Sequence, residues 1–369
     1  MRRVMAQTSK PKATRGNFFE DFQNGQVIQH PTPRTLTEGD AAAYVALYGD
    51  RRPLHSARSF AQALGLPREP MHDLLTFHTV FGKSVGQISL NAVANLGYAD
   101  GRWLRQVYAG DTLRSESEVL GKKELSNGKA GIVWVRTRGL DQNEREVLRY
   151  CRWVMVEKRD PATPTGAADK IVLPDAVPAS ELRAPAELDA RRATKELAWA
   201  LGAHAWGRWD DYAVGERIDH VDGMTVDEAD HTLATRLYQN TARVHFNLHQ
   251  MAGSRFGKRL VYGGHIISIA YGLAQNGLEG SLGVLALNAG SHVNPTFAGD
   301  TIYAWSDVLD KQPIAGRDDV GALRVRLCAA KNVDPSREPF EPRPKNEQGD
   351  PVADPRLVLE LDVWLLMIR

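Results

Sequence analysis

Two histidines each close a nine-residue segment of the same form. Leu47-Tyr48-Gly49-Asp50-Arg51-Arg52-Pro53-Leu54-His55 and Leu237-Tyr238-Gln239-Asn240-Thr241-Ala242-Arg243-Val244-His245 both begin Leu-Tyr and end His, 190 positions apart. An Asp five residues ahead of a His, as in Asp50 and His55, can bracket one water, because imidazole titrates near neutral pH and a carboxylate can share the proton. In the second segment Asn240 stands in the acid's place. An amide cannot serve as a base, but it can orient a water or an imidazole. The second copy's advantage comes further on, at Gly263-Gly264-His265 ahead of an apolar run. Glycines there let a ligand approach the backbone closely. The first N–H groups of a helix, reinforced by its dipole, suit a developing oxyanion. At that place the first copy has Met71-His72-Asp73, with no glycine and an acid that repels such a charge.

These parts suit proton transfer to and from water beside a stabilised carbonyl oxygen, and two assignments stand. In one, His245 is the acid/base, Asn240 orients, and the N–H groups of Gly264 and His265, with Gly263 beside them, hold the oxyanion. In the other, Asp50 and His55 carry the protons. Lys258 and Arg259, just ahead of the glycines, and Arg51, Arg52 and Arg243 inside the segments are candidate partners for phosphate or carboxylate groups. Plainer roles stand beside these. The histidines can be structural, Asp50 can cap a backbone N–H, the glycines can serve tight packing, and the cations can be solvated surface pairs.

The elements that position these residues repeat as well. Glu20-Asp21-Phe22 and Asp210-Asp211-Tyr212 sit 190 apart, as do Gly131–Arg136 and Gly321–Arg326. A period this long marks a duplicated domain rather than a solenoid. The 369 residues suit about two domains, which we place at 17–159 and 208–369 with a proline-rich linker at 160–207. Each copy predicts an N-capped helix before the segment (Thr37 with Asp40; Thr225 with Glu228). A long apolar helix follows, from His72 and from Gly264, and then a run of alternating strands. A short helix is expected near Ala193–Ala200 and a surface loop at 332–355. Trp103, Trp134, Trp153 and Trp364 read as core. One helix followed by antiparallel strands is α+β order.

A net charge of +1 argues against a nucleic-acid or acidic-membrane partner. Two cysteines, without disulfide or zinc spacing, suit a reducing cytoplasm. No His/Cys/acid cluster has metal-ligand spacing, and residues 1–16 lack a signal peptide's apolar core.

An Asp-x-x-x-x-His segment just before the helix of such a unit resembles the MaoC-type hydratases of the hot-dog fold, whose motif is Asp-x-Asn-Pro-x-His. Residues 50–55 keep the Asp, Pro and His but have Arg52 for the Asn; residues 240–245 keep only the His. "LYQNTARVHFN", "FGKRLVYGGHIIS" and "ISLNAVANLGYADGRW" are similar to members acting on branched dicarboxylic enoyl-CoA thioesters. The resemblance implies a tandem (double) hot-dog fold with a thioester tunnel between the halves. It further implies a cofactor-free hydro-lyase with an acyl-CoA substrate, and leaves further pairing into a homo-oligomer open. An acyl-CoA thioesterase of the same fold, for which Asp73 is the available acid, and a non-catalytic acyl-CoA-binding protein are the alternatives.

Overall fold

The 190-residue shift is a two-fold relation in space. The computed structural model of the chain describes residues 12–192, 195–196 and 207–369. In the first half, β1 (Val27–Thr35) leads to α1 (Glu38–Tyr48), α2 (Pro53–Ser56), α3 (Arg58–Ala63) and the central α4 (Asp73–Ser84), which runs into a π turn at Val85–Ser89. Strands β2 (Ala92–Trp103), β3 (Thr112–Glu124), β4 (Ala130–Leu140) and β5 (Glu146–Glu157) follow. The second half repeats the order with β6 (Arg217–Thr225), α5 (Glu228–Leu237), α6 (Arg243–Phe246), α7 (Leu248–Met251) and the central α8 (Gly263–Leu273). Its strands are β7 (Ser281–His292), β8 (Thr301–Pro313), β9 (Val320–Lys331) and β10 (Leu357–Ile368). All ten strands form one sheet, ordered β1-β3-β4-β5-β2-β7-β10-β9-β8-β6. Its two halves are mirror readings of one strand order, joined where β2 pairs antiparallel with β7, Tyr98 opposite Gly290. This is the α+β double hot dog expected from the resemblance.

Local pairs keep the shift. Each half opens with a short 3-10 turn, Phe19–Asp21 and Trp209–Asp211. Its aromatic ring lies on the repeated strand glycine: a Cβ on Gly131 would meet Phe19 at 2.2 Å, and one on Gly321 would meet Trp209 at 2.7 Å. Every residue of α4 is buried, which is why its sequence is apolar on most faces. Across the axis, Gly82 of α4 lies under the carbonyl of Tyr238, and its counterpart Gly272 of α8 lies under that of Tyr48. A Cβ at Gly82 would come within 1.8 Å of that oxygen, so the halves touch backbone to backbone. On the axis the equivalent tyrosines meet, with the Tyr238 hydroxyl donating to that of Tyr48 at 2.9 Å.

Several expectations need correction. Thr37 and Asp40 do form a capping box. In the second half, however, the cap is Asp227, whose carboxylate accepts from Ala229 N–H. Thr225 ends β6, pairing with Thr301, because the strand extends to it and leaves the next acceptor to cap. Only Trp364 of the four tryptophans is fully buried. Trp134 and Trp153 are half-buried partners across β4 and β5, alternating with the core valines Val133, Val135 and Val154, so strand period puts them on the other face. The linker's described part is not free-hanging, since Val177, Leu182 and Leu188 join α3 and the outer face of β7 and β10 in one apolar cluster. The helix expected near 193–200 falls largely outside the described residues. The 332–355 insert is loop apart from one bridge, Lys345 to Pro351.

Candidate active site

The two His-ending segments meet different fates. In the first half the Asp50 carboxylate takes the Arg52 backbone N–H at 2.9 Å and the Arg52 guanidinium at 2.6 Å. His72 Nδ1 accepts from Leu74 N–H, so its Nε2–H donates to Asp50 at 3.0 Å. Arg52 also donates to Tyr271 O at 2.9 Å and lies 3.7 Å over that ring, sealed by the second half's helix. Burial works to raise the Asp50 carboxyl, but Arg52 and His72 outweigh it and hold it well below the usual range, which makes a poor base. Asp50 and His55 share no hydrogen bond. His55 Nδ1 donates to Pro70 O at 3.2 Å, and its Nε2 is enclosed without a partner. Asp73 is buried and spends its carboxylate on Val284 N–H at 2.8 Å. Arg51 is exposed. The dyad of the sequence reading is therefore an enclosed ion-pair cluster.

In the second half the same backbone frames a cavity of about 800 Å³. His245 Nδ1 donates to Leu260 O at 2.8 Å, the counterpart of the His55–Pro70 bond. This fixes the tautomer and leaves the Nε2 lone pair free on a residue lining the cavity. Burial lowers the His245 pKa to about 4, so the ring is neutral at physiological pH. Asn240 is buried at the cavity wall, its Oδ1 accepting from Ala242 N–H at 3.1 Å as Asp50 does from Arg52. Its Nδ2 has no partner among the described residues.

The helix start differs from the expectation in one respect. His265 N–H donates to Tyr262 O at 2.9 Å, so it is not a free oxyanion donor. Tyr262 N–H is taken by His231 Nε2 at 3.0 Å. The N–H groups left without an acceptor among the described residues are those of Gly263 and Gly264, as the first turn of a helix requires. At both positions a Cβ would come within 2.4 Å of a ring, His292 beside Gly263 and Tyr262 beside Gly264. The Gly263 position corresponds to Asp73, so the glycine keeps open what the first half fills. His265 itself is buried and turns its Nδ1 to the Tyr48 hydroxyl at 3.0 Å.

Of the candidate cations, Arg243 lines the cavity and bonds Asn91 Oδ1 of the first half at 2.7 Å. Arg259 is held by Glu228 and by Thr232 Oγ1 at 2.8 Å. Lys258 is exposed, 4.4 Å over the Phe297 ring. Neither of these two lines the cavity. Three residues the sequence reading missed do: His292, whose Nε2 meets the Tyr98 hydroxyl at 3.1 Å, Arg255 at the mouth, and Arg152 on the inner wall. None of them has a counterpart in the duplicated segments, so the repeat carried no signal for them. The first half contributes the opposite wall through Phe81, Asn91, Asn95 and Tyr98. Among the described residues no helix is long and apolar enough to cross a membrane.

This arrangement can take a proton from water at His245 and hold negative charge at a helix N-terminus inside a cleft between the halves. The family profile described as mesaconyl-CoA hydratase matches residues 4–337 of the chain. The β-methylmalyl-CoA dehydratase of Chloroflexus aurantiacus is 53% identical, over 97% of this chain and 99% of that protein. The mesaconyl-CoA hydratase of Cereibacter sphaeroides is 52% identical, over 97% and 100%. The crystal structure of a MaoC domain protein dehydratase from Chloroflexus aurantiacus superposes at a TM-score of 0.91 with 52% identity, covering 98% of this chain and 99% of that one.

Proposed function

The chain belongs to the mesaconyl-CoA hydratase family and is a hydro-lyase; from that premise we propose that it reversibly hydrates mesaconyl-CoA to β-methylmalyl-CoA, using the second half's site. The observation that carries the site assignment is the free Nε2 of His245 in the same cavity as Gly263, whose unpaired N–H stands next to that of Gly264 at the helix start. In the hydration direction the Asn240 amide orients a water, and His245 Nε2 takes its proton as the oxygen attacks the β-carbon. Charge moves to the thioester oxygen, where the two N–H groups hold it. The imidazolium then returns the proton to the α-carbon, so water is added across the double bond with no net proton change. On this reading residues 17–159 supply a scaffold and one cavity wall, and residues 208–369 supply the chemistry. Arg243 and Arg255, at the cavity's edge, suit the phosphates of coenzyme A.

The thioesterase reading loses its support, because Asp73 is enclosed in the half without the cavity and α8 carries no carboxylate. The test is loss of enoyl-thioester absorbance on mixing the protein with mesaconyl-CoA, and its return from β-methylmalyl-CoA. Release of free thiol without hydration overturns the proposal.

A further inference from the structure

Among the described residues two arginines, Arg52 and Arg152, are buried, and the fold treats them differently. Arg52 has a carboxylate, a carbonyl and a ring, as described above. Arg152, on β5, is 0% exposed and has no carboxylate within reach among the described residues. Its Nη2 donates to Ser84 Oγ at 2.8 Å and reaches Ser89 Oγ only at 3.5 Å. Its guanidinium lies 4.2 Å over the Phe81 ring. Nε and Nη1 have no hydrogen-bond partner. An enclosed cation without a counter-ion is costly, and folded chains keep one only where something offsets it.

The position of Arg152 indicates the use. It lines the inner wall of the cavity that holds His245 and Gly263. Phe81, beneath it, stands 5.7 Å from the Tyr262 ring, and Tyr262 stands 5.6 Å from His245. Directly across the β2–β5 ladder is Tyr98, whose hydroxyl meets the His292 that lies against Gly263. Glu157, at the exposed end of β5, is the one carboxylate among the lining residues, whereas Arg243 and Arg255 lie toward the mouth.

We propose that Arg152 is the specificity residue that receives the distal carboxylate of a dicarboxylic enoyl thioester, supplying the counter-ion the folded chain lacks. The inference rests on the hydratase reading and deepens it, since that reading names a dicarboxylic substrate but no residue that receives its distal carboxylate. An enclosed guanidinium left facing a methyl group stays unpaired, so the site selects against monocarboxylic acyl groups as well as for dicarboxylic ones.

The experiment compares kcat/KM for mesaconyl-CoA and for the isostere with a methyl in place of the distal carboxylate, 2-methylbut-2-enoyl-CoA. Wild type, Arg152→Met and Arg152→Lys are run side by side. Wild type is expected to favour the dicarboxylic substrate by about 100-fold or more, the scale of breaking a desolvated charge pair. Arg152→Met should lose most of that preference while turning over the isostere within about three-fold of wild type; Arg152→Lys should retain part of it. Equal turnover of the two substrates by wild type overturns the inference whatever the variants do. An equal fall on both substrates in both variants makes Arg152 a structural residue. Turnover of neither substrate by wild type sinks the hydratase reading itself, a distinct result from either.

Discussion

Replacing His245 by Asn tests the assignment of the working half most directly. The Asn amide nitrogen can stand where Nδ1 stood and keep the donation to Leu260 O, while the reactive Nε2 is lost. His55→Asn makes the matching change against Pro70 O in the first half. A positioned general acid/base is worth roughly 10²–10⁴ in rate, or about 3–5 kcal/mol of barrier. His245→Asn should therefore cut kcat by that factor and leave the residual rate that the helix N-terminus supports. Because burial holds the His245 pKa near 4, only about 1% of the rings are protonated at pH 6, against about 75% for an unshifted imidazole. The wild-type kcat/KM for mesaconyl-CoA, followed by enoyl absorbance, should be flat between pH 6 and 8. A break near pH 6.5, or a collapse in His55→Asn with His245→Asn unaffected, would refute the reasoning.

Two further outcomes concern stability. Gln239 closes α5 with φ of +55°, at the position where the first half has Gly49 at +57°. The left-handed conformation costs an L-residue about 1–2 kcal/mol, partly offset by glycine's entropy loss, so Gln239→Gly should raise Tm by about 1–2 °C in calorimetry; no change or a fall counts against it. Among the described residues burial lowers the pKa of nine histidines, His30, His55, His72, His78, His220, His231, His245, His265 and His292. Below the unfolded pKa near 6.5 the unfolded chain binds protons that the folded one refuses. Stability should then fall as pH drops from about 6.5 toward 4, by about 1.4 kcal/mol per pH unit per histidine. Circular dichroism should show acid unfolding near pH 5, and an unchanged Tm from pH 7 to 4.5 would contradict it.

Much of this was legible in the sequence because the chain states it twice. The shift marked a duplicated domain, and the contrast of Gly263-Gly264 with Met71-His72-Asp73 set the two halves apart while leaving both site assignments standing. Arg52, standing where the family motif has Asn, was visible, but its effect was not. It neutralises Asp50 only because Tyr271, 219 residues on, supplies the carbonyl and ring that enclose it. The choice of His265 N–H as a donor failed on a 3-10 bond to Tyr262, a detail of one helical turn. Arg152 and His292 were illegible for the opposite reason. They belong to strands, stand outside the repeated motif, and acquire meaning only when β5 and β7 wall the same cavity.

The tyrosine pair on the axis shows how far the duplication has departed from symmetry. Two identical hydroxyls facing each other across a true dyad can order their protons in either direction at equal energy. Here Tyr48, having accepted from Tyr238, is left to donate, and the Nδ1 lone pair of His265 is its acceptor at 3.0 Å. The residue 190 positions before His265 is Leu75, which offers Tyr238 no such acceptor. The degeneracy is lifted: the proton arrow at the axis points from one half into the other, as it could not in a pair of identical subunits.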